Sequence, residues 1–247
     1  MADPANREER HAAWVASLVD GGCPVCGTVP EPKHIGCRAC WERADNERMR
    51  LAEVERFTKR FDEYTDALPS FRFATPENAE WVRQVHPKIR EVVAAWNCRS
   101  SLMLFGETGC GKTTSIVARL RAEAERLKQQ ARDGGERVYW DFMFTTEADI
   151  LEAHRTHKLG TELPKRLRSL RSSNLAVIDE MGFQPEYGIP IVMRYVDERY
   201  REGRPTVITS SLTYDAFVRR YSPALVRRVL QAGDGGDYFD LSREGRG

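Results

Sequence analysis

The 247-residue sequence lacks any apolar run approaching about 18 residues, so no segment is expected to span a membrane. Its best early apolar stretch, residues 12–19, is short and follows charges of both signs: Asp3, Glu8 and Glu9 against Arg7 and Arg10. A secretory leader needs a basic lead and a small-residue cleavage site, so this stretch reads as a surface helix in a cytoplasmic protein. Charge of one sign is also missing, because 38 Lys and Arg against 37 Asp and Glu leave only +1. A chain that is basic throughout is excluded, and any nucleic-acid contact must come from a local patch. Disorder over the whole chain needs low hydrophobicity and high net charge, and 41% of the residues are apolar. Internal repeats and low-complexity tracts are absent. In a reducing compartment, disulfides are the weaker account of the six cysteines.

Four cysteines cluster as Cys23-x₂-Cys26 and Cys37-x₂-Cys40, ten residues apart, among turn-forming Gly and Pro. Each pair offers two thiolates from one tight turn, and two such turns complete a tetrahedral Cys₄ site suited to structural Zn²⁺. Sulfur in all four positions leaves none open for chemistry. The alternative is a redox dithiol pair. So small a segment cannot bury enough surface alone, and structural zinc supplies about 10–16 kcal/mol in small peptide sites. Residues 1–50 carry seven Lys/Arg and eight Asp/Glu, a mixture that favours protein contact over nucleic acid. Residues 1–45 are therefore expected to form a zinc-binding, partner-docking domain. From residue 41 to 61 the sequence turns charged, with a thin stripe of Leu51, Val54, Phe57 and Phe61. Residues 46–67 thus read as a helical linker, ended by Leu68-Pro69, and residues 68–247 as the main domain.

That domain alternates apolar runs with helical stretches. Strands are expected at Ser101–Phe105 (SLMLF), 137–144 (RVYWDFMF), 174–179 (NLAVID) and 205–210 (PTVITS), with starts 36, 37 and 31 residues apart. A βα unit takes about 30 residues, so the rhythm predicts an α/β fold with a parallel sheet covered on both faces. Ile116, Val117, Leu120 and Leu127 mark one intervening helix; Val192, Tyr195, Val196 and Tyr200 mark another, with Pro190 near its start and Gly203 past its end. Trp140 and Phe142 read as core residues.

The segment Gly106-Glu107-Thr108-Gly109-Cys110-Gly111-Lys112-Thr113 matches G-x-x-x-x-G-K-[ST] between a strand and a helix. Its glycines let successive N–H groups point at phosphate oxygens, and the following helix, which includes Thr114, offers its N-terminus. Lys112 suits the β- and γ-phosphates of ATP, and the Thr113 hydroxyl suits Mg²⁺. Cys110 reads as a small residue that fits the loop, a reactive thiol being the alternative. Asp179 and Glu180, 67 and 68 residues beyond Lys112, end an apolar strand. Asp179 can complete the Mg²⁺ shell and Glu180 can polarise the attacking water.

The phosphate loop, NLAVIDEMG and residues 195–212 (YVDERYREGRPTVITSSL) together resemble the DnaC/DnaI/IstB group of AAA+ ATPases, which holds replicative-helicase loaders and a transposition helper. The resemblance covers residues 68–230. It implies an AAA+ sheet with helices on both faces, ATP hydrolysis, and a reduced lid, since 35 residues follow Leu212. The group's strand motif "TSN" is Thr209-Ser210-Ser211 here, which puts Ser211 at the sensor position, with Ser210 as the other candidate. Arg228, in Ala224-Leu225-Val226-Arg227-Arg228-Val229, falls at the arginine finger that reaches a neighbouring subunit's nucleotide, which implies a homo-oligomer. A solvated helix face is the other reading of this arginine pair. DnaI-like loaders dock an amino-terminal zinc domain on the hexameric replicative helicase, the partner this implies. Residues 152–174 carry six Lys/Arg (Arg155, Lys158, Lys165, Arg166, Arg168, Arg171) against two acids, with His154 and His157 among them. They are read either as single-stranded DNA contacts or as a solvated helix face. The alternatives to a loader are a transposition or phage helper ATPase acting on DNA, and an adaptor switched by ATP without significant hydrolysis.

Overall fold

The computed structural model describes residues 38–66, 74–75, 78–133, 141–158 and 160–243, together with residue 9. Contacts divide the chain into two units, Met1–Phe57 with Leu127–Arg137, and Thr58–Arg126 with Val138–Gly247. The described part of the first unit holds the start of helix α1 (Arg38–Asp66), which extends past both ends of the predicted 41–61. There Cys40 and Trp41 are buried, and short ion pairs brace one turn to the next, Arg48 to Asp45 (2.7 Å) and Arg50 to Glu47 (2.5 Å). Cys23, Cys26 and Cys37 of the expected zinc site lie outside the described residues. Among the described residues no group of three or more His, Cys, Asp or Glu could hold a metal ion, and no helix is long and apolar enough to cross a membrane.

The second unit contains a five-stranded parallel sheet. Its strands are β1 (Ser101–Phe105), β2 (Phe142–Thr146), β3 (Leu175–Met181), β4 (Thr206–Ser210) and β5 (Gly236–Asp240), in the order β2-β3-β4-β1-β5. Every residue of β1 and β4 is buried, as befits interior strands of a parallel sheet. Strand β2 begins later than predicted and runs on into Thr145 and Thr146, whereas residues 134–140 lie outside the described residues. Strand β5 was not foreseen: GDYFD is too polar to announce itself, and it holds an edge position with two exposed residues.

Helices α2 (Ala79–Gln84) and α3 (Pro87–Ala95) precede β1. Helix α4 (Lys112–Arg132) joins β1 to β2, α5 (Glu147–Thr156) and α6 (Lys165–Ser172) join β2 to β3, α7 (Ile189–Arg201) joins β3 to β4, and α8 (Tyr214–Tyr221) and α9 (Pro223–Leu230) join β4 to β5. The step from β1 to β2 crosses the sheet in the opposite direction from the later steps. Right-handed crossovers therefore set α4 on one face and α5 to α9 on the other. The packing agrees. Met103, Met143, Ala176, Ile178 and Ile208 share one core cluster with Ile150, Leu167, Val192, Phe217 and Val226. Their strand neighbours Leu102, Leu104, Val177 and Val207 point the other way by the two-residue period.

Local sequence explains the helix starts. Thr146 caps α5 reciprocally with Asp149, and Thr213 accepts from the Ala216 N–H at the start of α8. Buried Arg199, at the end of α7, ties that helix to its neighbours. Its Nη1 donates to the carbonyls of Leu170 (2.7 Å) and Ser173 (3.0 Å), Nη2 to Pro205 (2.6 Å), and Nε to the Thr206 hydroxyl (3.0 Å). Burial pushes this guanidinium down to about 9. Cys98, in the turn before β1, adopts φ 62°, and burial pushes its thiol up to about 12, which leaves it protonated and inert.

Candidate nucleotide site

The carboxyl ends of β1, β3 and β4 converge where the chain reverses direction across the sheet, the place where open α/β sheets bind ligands. From β1 the chain enters the phosphate loop at buried Gly106, whose N–H donates to the Ser210 carbonyl (3.3 Å) at the end of β4. Glu107, Thr108 and Gly109 are exposed, while Cys110, Gly111, Thr113 and Thr114 are half-buried. Gly111 has φ 92°, and a Cβ there would lie 2.7 Å from Val85 Cγ2, so both backbone shape and space require glycine. The segment carrying Val85 and His86 thus braces the loop, with the His86 N–H donating to the Cys110 carbonyl (3.1 Å). No pattern in the sequence marks that brace.

Lys112 is buried at the first turn of α4. Its ammonium donates to the carbonyls of Gly106 (2.6 Å) and Glu107 (2.9 Å) and lies 3.6 Å from Cys110 Sγ. Next to it, the Thr113 hydroxyl donates to Asp179 Oδ1 (2.7 Å), joining residues 66 positions apart. Asp179 is 4% exposed, and burial raises its carboxyl above the ordinary value although hydrogen bonds from Thr209 and Thr113 pull it down. A cation between these two oxygens would remove that penalty, so the donor set fits Mg²⁺ and the loop fits a triphosphate.

Thr209 belongs to the site although no pattern in the sequence singles it out. It is 1% exposed, its hydroxyl donates to Asp179 Oδ1, and it accepts from the Glu180 N–H (3.1 Å). The register explains why. Ile178 pairs with Ile208 but Met181 with Ser210, so β3 carries one residue more than β4 and bulges at Asp179 and Glu180. Glu180 has φ 55° and is exposed, while its neighbour stays buried. Bulges beside functional sites re-aim a side chain in this manner. The Ser210 hydroxyl donates to the Met181 carbonyl (2.6 Å) and accepts from the Leu212 N–H (3.2 Å), so it holds the bulge closed. Ser211 follows the strand, half-buried. Beyond the bulge, the Gly182 N–H donates to buried Glu147 (3.0 Å), whose other oxygen accepts from the Tyr221 hydroxyl (2.6 Å).

The other predicted residues lie elsewhere. Arg228, on α9, forms an ion pair with Asp197 of α7, which Arg201 also grips (2.9 Å); Arg227 is exposed. In the basic stretch each arginine meets a carboxylate: Arg155 with Glu152 (2.6 Å), Arg166 with Asp149 (2.6 Å), Arg168 with Glu162, and Arg171 with Glu198 (2.6 Å). Lys158 and Lys165 are exposed.

Among solved structures the chain is similar to the DnaC helicase loader, with 17% identity and a TM-score of 0.46 over 66% of this chain and 99% of that one. It is also similar to DnaI (14%, 0.42, 61% and 78%) and to the replication initiator DnaA bound to AMPPCP and single-stranded DNA (15%, 0.43, 62% and 44%). No curated protein matches the chain. A family model described as IstB-like ATP binding protein matches residues 39–229, most of the 247 residues, and the chain belongs to that family.

Proposed function

We propose that this ATP-binding protein hydrolyses ATP and uses the cycle to load or remodel a hexameric replicative helicase on single-stranded DNA. The observation that carries the enzymatic part is the buried Thr113–Asp179 hydrogen bond, with Lys112 alongside and Glu180 turned outward by the bulge. In this reading Lys112 leaves its loop carbonyls for the β- and γ-phosphates, and the loop N–H groups that follow Gly106, whose own N–H stays on the Ser210 carbonyl, hold the remaining oxygens as far as Thr114. Thr113 and Asp179 would hold Mg²⁺, which would supply positive charge to offset that of the phosphates. Glu180 orients the attacking water, and Ser211 assists as the sensor hydroxyl, since Ser210 is already engaged. Arg228 acts on a neighbouring subunit's nucleotide after leaving Asp197. That pair is partly exposed, and such pairs are worth only about 0–1 kcal/mol.

Purified protein should bind and turn over ATP, Lys112→Ala should lose nucleotide binding, and Glu180→Gln should bind without turnover. Equally negligible hydrolysis by wild type and Glu180→Gln would leave only the ATP-switched adaptor. Mixing Arg228→Ala with Glu180→Gln should reveal dependence between subunits.

The loader reading rests further on the sequence resemblance and on Cys23, Cys26, Cys37 and Cys40, proposed to hold one zinc per chain in a module that docks on the helicase. Zinc analysis and capture of a co-resident replicative helicase by the full chain, both lost on Cys37→Ser, test it. The IstB-like family match favours a second reading, a transposition or phage helper ATPase acting on DNA. Stoichiometric zinc without helicase capture would turn the assignment that way.

A further inference from the structure

Arg228 is held by its own chain. It lies in the last turn of α9, where Leu225, Val226 and Val229 are buried and fix the helix. Its guanidinium pairs with one oxygen of Asp197 on α7, and the other oxygen takes Arg201 Nη2 at 2.9 Å from one helical turn on. Among the described residues Asp197 is the one carboxylate paired with Arg228. The next acid, Glu198, is engaged elsewhere, by Arg194 (3.1 Å) and Arg171 (2.6 Å).

Position sets this pair apart from the chain's own nucleotide site. Helices α7 and α9 run back to the starts of β4 and β5, whereas the phosphate loop, Asp179 and Glu180 follow the carboxyl ends of the parallel strands. Arg199, two residues past Asp197, donates to the Pro205 carbonyl just before β4. A five-residue strand is about 16 Å long, so Asp197 and Arg228 lie near the opposite edge of the sheet.

The pair can open at little cost. Its side chains are 30% and 23% exposed, so water reaches both. When Arg228 leaves, Asp197 keeps Arg201, and no carboxylate is left without a cation. A single carboxylate shared between two guanidiniums is a weak competitor for a triphosphate carrying several charges. We infer that Asp197 is an autoinhibitory latch: it withholds Arg228 until a second copy of this chain docks with its nucleotide, and Arg201 is the cation that stays behind on release. The inference rests on the reading of Arg228 as a finger acting between subunits, and adds what restrains it.

The test measures ATP turnover per chain against protein concentration, with self-association in a non-hydrolysable ATP analogue followed by sedimentation. A partly exposed pair favours the closed latch by up to about fivefold, so Asp197→Asn, which keeps the shape and removes the charge, should lower the concentration for half-maximal turnover and for assembly about two- to sixfold at an unchanged plateau. Arg201→Ala leaves Asp197 to Arg228 alone and should raise that concentration. A brace between two helices predicts no such opposite shifts. Asp197→Asn combined with Arg228→Ala should behave as Arg228→Ala does, because the latch acts through that arginine. An unchanged or raised half-maximal concentration in Asp197→Asn, or an unchanged or lowered one in Arg201→Ala, would overturn the latch while the finger reading stands. Wild-type turnover by Arg228→Ala at every concentration would refute the finger reading and the latch together.

Discussion

Thr209→Val is the sharpest test of how the site is assembled. The substitution keeps the shape of a 1%-exposed residue and deletes one hydroxyl. That hydroxyl donates to buried Asp179 and accepts the Glu180 N–H at 3.1 Å. A hydrogen bond to a charged group is worth about 1.5–3 kcal/mol net and an ordinary one about 0.5–1.5, so the two together give roughly 2–4.5 kcal/mol. Urea titration of the ligand-free protein should show that loss as a lower midpoint with an unchanged slope. ATP turnover should fall at least tenfold, about 1.4 kcal/mol of barrier, because the N–H that fixes the left-handed Glu180 backbone loses its acceptor. Thr209→Ser keeps the oxygen and should keep most of both properties. If Val and Ser variants are alike in stability and turnover, the hydroxyl does not organise the bulge and the argument fails.

Three other outcomes are expected. Because burial raises the Asp179 carboxyl above its ordinary 3.8, its favourable contribution is full below that pH and fades as pH climbs through the raised folded value. Asp179→Asn should therefore melt higher than wild type at neutral pH without metal, and the gain should vanish in acid; a lower neutral melting temperature would contradict this. Arg199→Lys keeps a charge but not the fork, which leaves the Leu170 and Ser173 carbonyls without this donor, at about 1–3 kcal/mol each, so unfolding titrations should show a loss of roughly 2–6 kcal/mol. Gly109 and Gly111 both have positive φ, but only Gly111 faces Val85. Gly109→Ala should thus cost about 1–2 kcal/mol, whereas Gly111→Ala should cost more and weaken nucleotide binding, as thermal melting and equilibrium dialysis would show.

What could be read from the sequence was whatever lies close together along it. The phosphate loop and the acidic strand end are local strings whose chemistry follows from residue type and order. The apolar runs of β1, β3 and β4 are buried on both faces and so stand out. Strand β5 does not, since an edge strand can be as polar as GDYFD and is stabilised by its pairing with β1. Thr209 was hidden because the string Thr-Ser-Ser gives three hydroxyls and no register. Only the extra residue in β3 shows which of them meets Asp179. The basic stretch shows the same limit, for Arg171 finds Glu198 across 27 positions and only folding brings them to 2.6 Å. Composition counted the cations but could not show which carboxylates had already met them.

One irregularity in the sheet links these observations. With a regular β3–β4 register, successive side chains would alternate faces, and Asp179 and Glu180 would point to opposite sides of a buried layer. The extra residue lets Asp179 stay buried against Thr113 and Thr209 while Glu180 opens outward. It also ends β3 at Met181 and Gly182, where Ser210 and Glu147 take hold of the backbone. A turn with exposed Phe183 and Tyr187 starts at the next residue. Any pull on Phe183 would therefore act on a backbone fixed at Gly182 and, two residues earlier, at the Glu180 N–H, with buried Glu147 and Thr209 as the anchors. Coupling between a surface ligand and hydrolysis needs an element whose state both can bias. We propose the bulge as that element, and Tyr221→Phe tests it. Removing a buried hydroxyl 2.6 Å from Glu147 should loosen the anchor and reduce any stimulation of turnover by oligothymidylate more than it reduces basal turnover. An equal reduction of both would leave Glu147 and Tyr221 as packing alone.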